Sequence, residues 1–530
     1  MSNLYERAKQ EIAQELRKNR SLGKDDFEGI KRSIASKYKL KRVPSNPEIM
    51  SALDEETKAI VEEKLSIKRT RSASGVVVVA AMTAPFGCPH GTCLYCPGGP
   101  SFNTPQSYTG HEPAAMRAIQ NGFDPHRQVA QRLLQLREMG HSTQKVELVI
   151  MGGTFTCLPI EYQRWFIKSC FDALNGIQSK SIEEAHSFAE KAIKRNVGLT
   201  IETRPDYCRA EHVATMLNLG ATRVELGLQS LSDDVLGLIK RGHTVEDSIR
   251  AIRLCKDSGL KVCVHMMPGL PGSDYERDIK GFETLFQDTR FKPDMMKIYP
   301  TLVIEGTGLY SLYKSGEYTP LTDERAAILV AEVMSKAPRW LRLMRVQRDI
   351  PAQYIIEGPK HGNLRESAMQ YLRQTGSSTL EMRSREFGIR GGINDDDEIS
   401  LRRTDYDASG GREVFLEYLG SMSDTLIAYL RLRLPSDDCS MKQFRNGDSA
   451  IVRELKVVGR STPLGMVYER SGQHRGFGSL LMHEAERVCA EEWGLKKLYV
   501  MAAIGTREYY HRIGYMTEPP YVYKNLPTRI

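Results

Sequence analysis

Cys88-Pro-His-Gly-Thr-Cys93-Leu-Tyr-Cys96 places three thiols within nine residues. They follow closely on Val76–Met82 (VVVVAAM), an apolar, β-branched run of strand length. Pro89, His90 and Gly91 between the thiols make this a loop. Three thiolates can hold three irons of a [4Fe–4S] cluster and leave the fourth open to a chelating ligand. The amino and carboxylate groups of S-adenosylmethionine are such a ligand, and electron transfer from the cluster then breaks its sulfonium carbon–sulfur bond to give a 5′-deoxyadenosyl radical. Zinc is the competing metal. It would want a fourth ligand nearby, for which His90 is the only candidate.

Downstream, short strand-like runs alternate with amphipathic stretches of helical length. The runs are KVELVIMGGTF, VGLTIETRPD, TRVELGLQS, LKVCVHMMPGLPG and MMKIYP; the stretches include His126–Met139, Pro159–Leu174, Glu183–Arg195, Asp233–Lys240 and Val245–Ser258. Six β/α units in series predict a full or partial barrel of parallel strands. In barrels the chemistry sits where strands end and loops begin, and those ends carry Gly152-Gly153, Glu202, Gly227-Leu228-Gln229 and Met267-Pro268-Gly269.

Four segments follow from the pattern. Residues 1–72 are helix-like and basic, broken at Pro44–Pro47, and permit a nucleic-acid contact or are simply a solvated helical face. Residues 73–340 form the barrel module. Residues 341–395 form a connector dense in arginine, including Arg342, Arg345, Arg348, Arg365, Arg383, Arg385 and Arg390. Residues 396–530 form a second α/β module, with strands at Ile451–Val458 and Lys496–Ala503 around a glycine-bearing turn. That turn, Gln473-His-Arg-Gly476-Phe-Gly478, opens a helical pattern over Ser479–Cys489. Glycines admit a close backbone approach, and free N–H groups at a helix start attract a pyrophosphate.

The chain has 530 residues, 41% hydrophobic and 26% charged, with a net charge of +8. No run approaches the ~18 apolar residues of a membrane span. The amphipathic N-terminus does not read as a secretory signal. Ten cysteines, three of them clustered, suggest a reducing compartment, and a cytoplasmic location is expected.

The cysteine loop, with the glycine pair of Met151-Gly-Gly-Thr-Phe155 on the next strand, resembles the radical S-adenosylmethionine superfamily. Its first gap holds four residues where that superfamily usually has three. The longer gap, CPGGP, QSYTGHEPAAMRA, ETRPDYC (Glu202–Cys208), VELGLQS, HMMPGLPG (His265–Gly272) and VQRDIP resemble the catalytic subunits of Elongator complexes. The Gln473–Gly478 turn resembles the Q-x-x-G-x-G/A signature of GCN5-related acetyltransferases, and Tyr509-Tyr510-His511-Arg512-Ile513-Gly514-Tyr515 matches that fold's last helix and turn. The resemblance implies an α/β chain: a radical S-adenosylmethionine partial (β/α) barrel followed by a GNAT acetyltransferase domain.

It further implies a [4Fe–4S] cluster on Cys88, Cys93 and Cys96, S-adenosylmethionine beside Gly152, Gly153 and Glu202, and acetyl-CoA on Glu454, Leu455, Lys456, Val457, Gln473, Gly476, Phe477, Gly478 and Ser479. Glu202 reads equally as a structural ion pair with an arginine. Lys145 is carried over as an acetyl-CoA contact, which would require both sites to share one cleft; otherwise it is a solvated strand-edge lysine. Tyr510, with Tyr509 beside it, would give a proton to the departing thiolate. Relatives with a CRCxRCRE segment resemble zinc binders, but here Thr379–Glu386 has no thiol and no zinc is expected.

The implied reaction is carboxymethylation of the wobble uridine of tRNA at carbon 5, by a radical formed on the acetyl methyl. The anticodon stem-loop is the implied substrate, the connector arginines are candidate phosphate contacts, and Elongator-like subunits or further copies of the chain are implied partners. Two other classes stand beside it: a protein lysine acetyltransferase with a structural iron–sulfur domain, and an inactive assembly scaffold.

Overall fold

The computed structural model describes residues 2–19, 24–40, 42–44, 46–50, 52–54, 57, 75–393, 396–458 and 476–527. Ser2–Lys18, Lys24–Lys37 and Asn46–Met50 are helices packed around Ile12, Leu16, Phe27 and Ile34. Their basic residues are partly spoken for, Lys37 by Glu11 and Arg42 by Glu48.

Seven parallel strands follow: β1 Val76–Met82, β2 Lys145–Met151, β3 Arg195–Thr203, β4 Arg223–Gln229, β5 Lys261–Met266, β6 Met295–Ile298 and β7 Arg342–Arg345. They lie in chain order in one sheet, and β1 and β7 do not pair, so the barrel is open along one side. Period-two alternation sets the layers. Val146, Leu148 and Ile150 of β2 point out to the helices and are fully buried, while Lys145 and Glu147 point in.

Two sequence expectations change. The helix expected to reach Arg195 ends at Lys191, and Arg195 instead opens β3 against Lys145. The segment expected to be connector from residue 341 supplies β7, which pairs with β6 and buries Leu343 in the core.

The second sheet runs β13-β14-β12-β11-β10-β9-β8. Its strands are β8 Ile399–Ala408, β9 Gly411–Gly420, β10 Leu426–Leu434, β11 Ser449–Val457, β12 Lys497–Val500, β13 Met516–Glu518 and β14 Tyr521–Asn525. Only β11 and β12 are parallel neighbours, joined through the helix Phe477–Arg487. The sequence reading missed β8 because ISLRRTDYDA is mostly polar and exposed; β8 is an edge strand held by ten register pairs to β9.

A fully buried ionic cluster welds the two sheets. Asp294 and Asp257 of the first module meet Arg453, Arg431 and Arg433 of the second, and Glu413 answers Lys256. Arg453 grips Asp294 with both terminal nitrogens, at 2.7 and 2.5 Å. With the half-buried Glu454 on Arg431 at 3.0 Å, four carboxylates balance four cations.

Candidate active site

The cysteine loop leaves the C-terminal end of β1, on the face where barrels do chemistry. Gln106 shapes it: its amide oxygen accepts from the Cys88 N–H, and its amino group donates to Gly91 O at 3.3 Å and Thr92 Oγ1 at 3.0 Å. Gly91 sits at φ +90°, a conformation open to glycine. Cys93 and Cys96 are buried and Cys88 is half-buried.

Among the described residues, the three sulfurs do not converge to within 4.8 Å of one another. Ligands of one tetrahedral zinc at bonds of 2.3 Å would lie about 3.8 Å apart. The neighbouring cations suit an anionic cluster. Arg241 Nη1 stands 3.8 Å from the Cys93 sulfur, and Arg204, nearly fully buried, lies beyond it, tied to Asp206 at 2.8 Å. His90 Nε2 lies 3.1 Å from the same sulfur.

The glycine pair is packed directly against this loop. A Cβ on Gly152 would overlap the Thr83 hydroxyl at the end of β1, and one on Gly153 would come 3.3 Å from Gln106 O and 4.0 Å from the Cys88 sulfur. Both have positive φ, +140° and +87°. Gly152→Ala is therefore expected to push Thr83 and the cysteine loop apart. Iron retained after anaerobic reconstitution should fall by more than half; retention at the parental level would show that the loop does not depend on this contact.

Glu202, at the end of β3, accepts a hydrogen bond from the Tyr108 hydroxyl at 2.8 Å. Among the described residues it forms no ion pair with an arginine. Burial above all pushes its carboxyl up to about 7, against the pull of Lys297.

In the second module, β10 and β11 stay paired as far as Ala428–Val457, with an irregularity at Arg431/Leu432. β12 pairs with β11 only over Ser449–Val452. Among the described residues no strand pairs with the other edge of β11 from Arg453 on, and Glu454, Leu455, Lys456 and Val457 line a cleft there. The start of the Phe477–Arg487 helix faces the same space. Gly476 caps it at φ +79° without a side-chain bond, and Leu480 is the first residue to donate back, to Gly476 O at 3.0 Å. The N–H groups of Phe477, Gly478 and Ser479 have no partner within the helix, an arrangement that suits an anion.

The Tyr509 hydroxyl overlies this turn, 3.1 Å from where a Gly478 Cβ would stand. Tyr510 is mostly buried, and that burial holds its hydroxyl above its ordinary range, so it stays protonated. Gln473 lies outside the described residues.

One cleft of about 2460 Å³ joins the two ends. Cys88, Gly153, Glu202 and Arg241 line it, and so do Lys145, Glu454–Val457, Gly476–Ser479, Tyr509 and Tyr510. Lys145 of the first module thus lines the same cleft as the glycine turn of the second. Of the connector arginines, Arg342, Arg345, Arg348, Arg365 and Arg383 line the cleft. Arg342, Arg365 and Arg385 are held in buried or half-buried pairs with Glu386, Glu381 and Glu417, which removes them as free phosphate contacts, whereas Arg345 pairs with the exposed Asp349. Thr379–Glu386 is built around the same pairs. Arg204 and Arg241 went unnoticed in the sequence, although Arg204 lies inside the ETRPDYC stretch; only their proximity to the thiols marks them.

The cysteine loop and open barrel match the Radical SAM superfamily over residues 83–280 and the radical SAM C-terminal domain over 293–374. The chain is thus a radical S-adenosylmethionine protein with a second, mixed sheet fused to its barrel, a family that implies a [4Fe–4S] cluster and S-adenosylmethionine. Residues 5–73 match the ELP3 N-terminal domain. The chain is 47% identical to the tRNA uridine(34) acetyltransferase of Methanocaldococcus jannaschii, covering 97% of this chain and 96% of that protein. It is 44% identical to human Elongator complex protein 3, over 95% and 94% of the two chains. The solved structure of the archaeal Methanocaldococcus infernus Elp3 with N-terminus deletion (1-46) aligns with a TM-score of 0.76 at 45% identity, covering 86% of this chain and all of that one. The chain belongs to the Elongator complex protein 3 family.

Proposed function

We propose that the chain is a tRNA uridine(34) acetyltransferase of the carboxymethylating kind, acting on the anticodon stem-loop with acetyl-CoA and S-adenosylmethionine. The observation that carries this reading is the single cleft lined by both the cysteine loop and the glycine turn. When bound, the cluster and S-adenosylmethionine supply a hydrogen-abstracting carbon radical, and acetyl-CoA supplies the two-carbon group.

The chain's own groups divide the remaining work. Cys88, Cys93 and Cys96 hold the cluster, with Arg204 and Arg241 offsetting its negative charge. Gly152, Gly153 and Glu202 receive S-adenosylmethionine. The open edge of β11 pairs with the amides of the pantetheine arm, and Phe477–Ser479 with Lys145 and Lys456 receive its phosphates. Once the arm has drawn back to the second module, water hydrolyses the thioester and Tyr510 gives its proton to the departing thiolate.

The gap between β1 and β7, flanked by Arg345 and Arg348, admits an anticodon loop, whose unpaired bases leave their stack cheaply. The basic N-terminal helices add phosphate contacts. No described helix is long and apolar enough to cross a membrane, which accords with action on cytoplasmic tRNA, alone or with Elongator-like subunits.

The test is mass spectrometry of tRNA nucleosides after anaerobic reaction with carbon-labelled acetyl-CoA. Both labelled carbons are expected on carbon 5 of uridine, and only with S-adenosylmethionine and reductant present. Label on protein amines, independent of S-adenosylmethionine and absent from uridine, would replace this reading with lysine acetylation.

A further inference from the structure

Closed parallel barrels are filled inside by layers of branched apolar side chains. This one is not. Its inward positions on β2, β4, β5 and β6 include Glu147, Arg223, Glu225, Lys261, His265 and Lys297, all of which face the cleft. Their outward neighbours Val224, Leu226, Val262, Val264 and Met296 are fully buried and apolar. The alternation is therefore intact, but its inner face is polar.

Charges within this lumen are matched. Arg223 pairs with Glu147 at 2.5 Å, Lys297 pairs with Glu225, and His265 Nε2 lies 2.9 Å from the same Glu225 carboxylate. The His265 ring meets Tyr299 edge-on at 5.3 Å. Burial, reinforced by Lys297, lowers His265 to about 4, so at neutral pH it adds no charge. A wall of paired charges with donors and acceptors to spare suits an uncharged polar chain.

The mouth at the N-terminal strand ends differs. Lys145 opens β2 and Lys261 opens β5, and neither forms an ion pair among the described residues. Lys456 of β11 lines the same mouth. That end suits an anion. The two ends are far apart: seven strand residues at about 3.3 Å each put Lys145 about 20 Å from the glycine pair. A hydrogen atom cannot be abstracted across that distance, since reacting atoms must approach to about 3–3.5 Å.

We infer that the barrel lumen is the passage through which the thioester end of the bound acyl-CoA reaches the radical site, while its phosphates stay at the Lys145–Lys261 mouth. Glu225, His265 and Lys297 are positioning residues that line the way. This inference rests on the acyl-CoA reading proposed above and adds a route to it.

The test photolyses the iron–sulfur-loaded full chain with an acyl-CoA carrying a diazirine in its acyl group, then maps the labelled peptides. Insertion into the segments holding Glu225, His265 or Lys297 is expected. Label confined to the segments holding Phe477–Ser479 and Tyr509–Tyr510 would overturn the passage. Val149→Phe provides a second measurement, because Val149 faces the lumen from β2. Misplacing the reacting group by about 1 Å costs on the order of 100-fold, so carboxymethyluridine yield should fall by about that factor. Reductive cleavage of S-adenosylmethionine without tRNA, and acyl-CoA affinity, should hold within about twofold. Full product yield from the folded variant would overturn the passage. A parent protein that labels no uridine at all would instead count against the proposed function, and the photolabelling map would still decide the route.

Discussion

Cys93→Ala is expected to abolish both the reducible iron–sulfur signal and deoxyadenosine formation. Three thiolates are the minimum that leaves one iron of a four-iron cluster open for a chelating ligand. Cys93 is also the most enclosed of the three by other groups, with His90 Nε2 at 3.1 Å and Arg241 Nη1 at 3.8 Å from its sulfur. Removing that sulfur strips one iron of its anchor and leaves the buried Arg241 guanidinium without its anionic neighbour. The variant loses only one small side-chain atom, so the fold should survive, and circular dichroism with a thermal scan would show it. Iron content near background, with tRNA affinity unchanged, is the expected pair of results. Parental iron loading and parental cleavage of S-adenosylmethionine in the variant would refute assignment of Cys93 to the cluster.

Asp294→Ala should cost about 3–5 kcal/mol of folding stability, the range for breaking a buried ion pair by removing one partner. The total for a domain is only about 5–15 kcal/mol, so both modules should unfold at markedly lower denaturant. Asp294 is fully buried and accepts both terminal nitrogens of Arg453, with Lys256 and Arg431 each 3.7 Å away. It also accepts the Val262 N–H at 2.8 Å, which ties the cluster to β5. Burial opposes its charge, but Arg453 and Lys256 together hold its carboxyl far below the usual carboxylate range.

The pH dependence follows from that direction. A depressed native value gives stability that is whole above the unfolded value of about 3.9 and is lost as pH falls below it. The gap between parent and Asp294→Ala should therefore be full at neutral pH and narrow on acidification below about pH 5. Urea titrations at a series of pH values measure it. A gap under about 1 kcal/mol at pH 7 would show that the cluster contributes no net adhesion between the sheets.

Legibility varied with the range of the interaction. β1 over Val76–Met82 was read to the residue, because an uninterrupted β-branched run has one sensible local conformation. The helices at Pro125–Glu138, Ile160–Asn175 and Val245–Asp257 fell within a residue or so of their expected bounds, since caps such as Asp124 and Thr244 are written beside them. Strand β8 was not legible. Its polar residues carry no core face, and only pairing with β9 makes ISLRRTDYDA extended. β7 was hidden for a related reason: Arg342-Leu-Met-Arg345 is four residues long, half of them arginine. Arg342 reads as surface until Glu386, 44 residues away, is found beside it.

The sequence by itself determined the local chemistry: three thiols on one loop, a glycine pair after a strand, a glycine turn at a helix start, and a parallel β/α order. Each is set by neighbours within about a dozen residues, where chain geometry leaves few choices. Tertiary structure alone decided that these parts face one cleft, that Arg204 and Arg241 flank the thiols, and that the barrel has a polar lumen. It also decided that Arg453 meets Asp294 across 159 residues of chain. Such contacts leave no periodic mark in the sequence, because what makes a buried charge tolerable is the partner brought to it by folding.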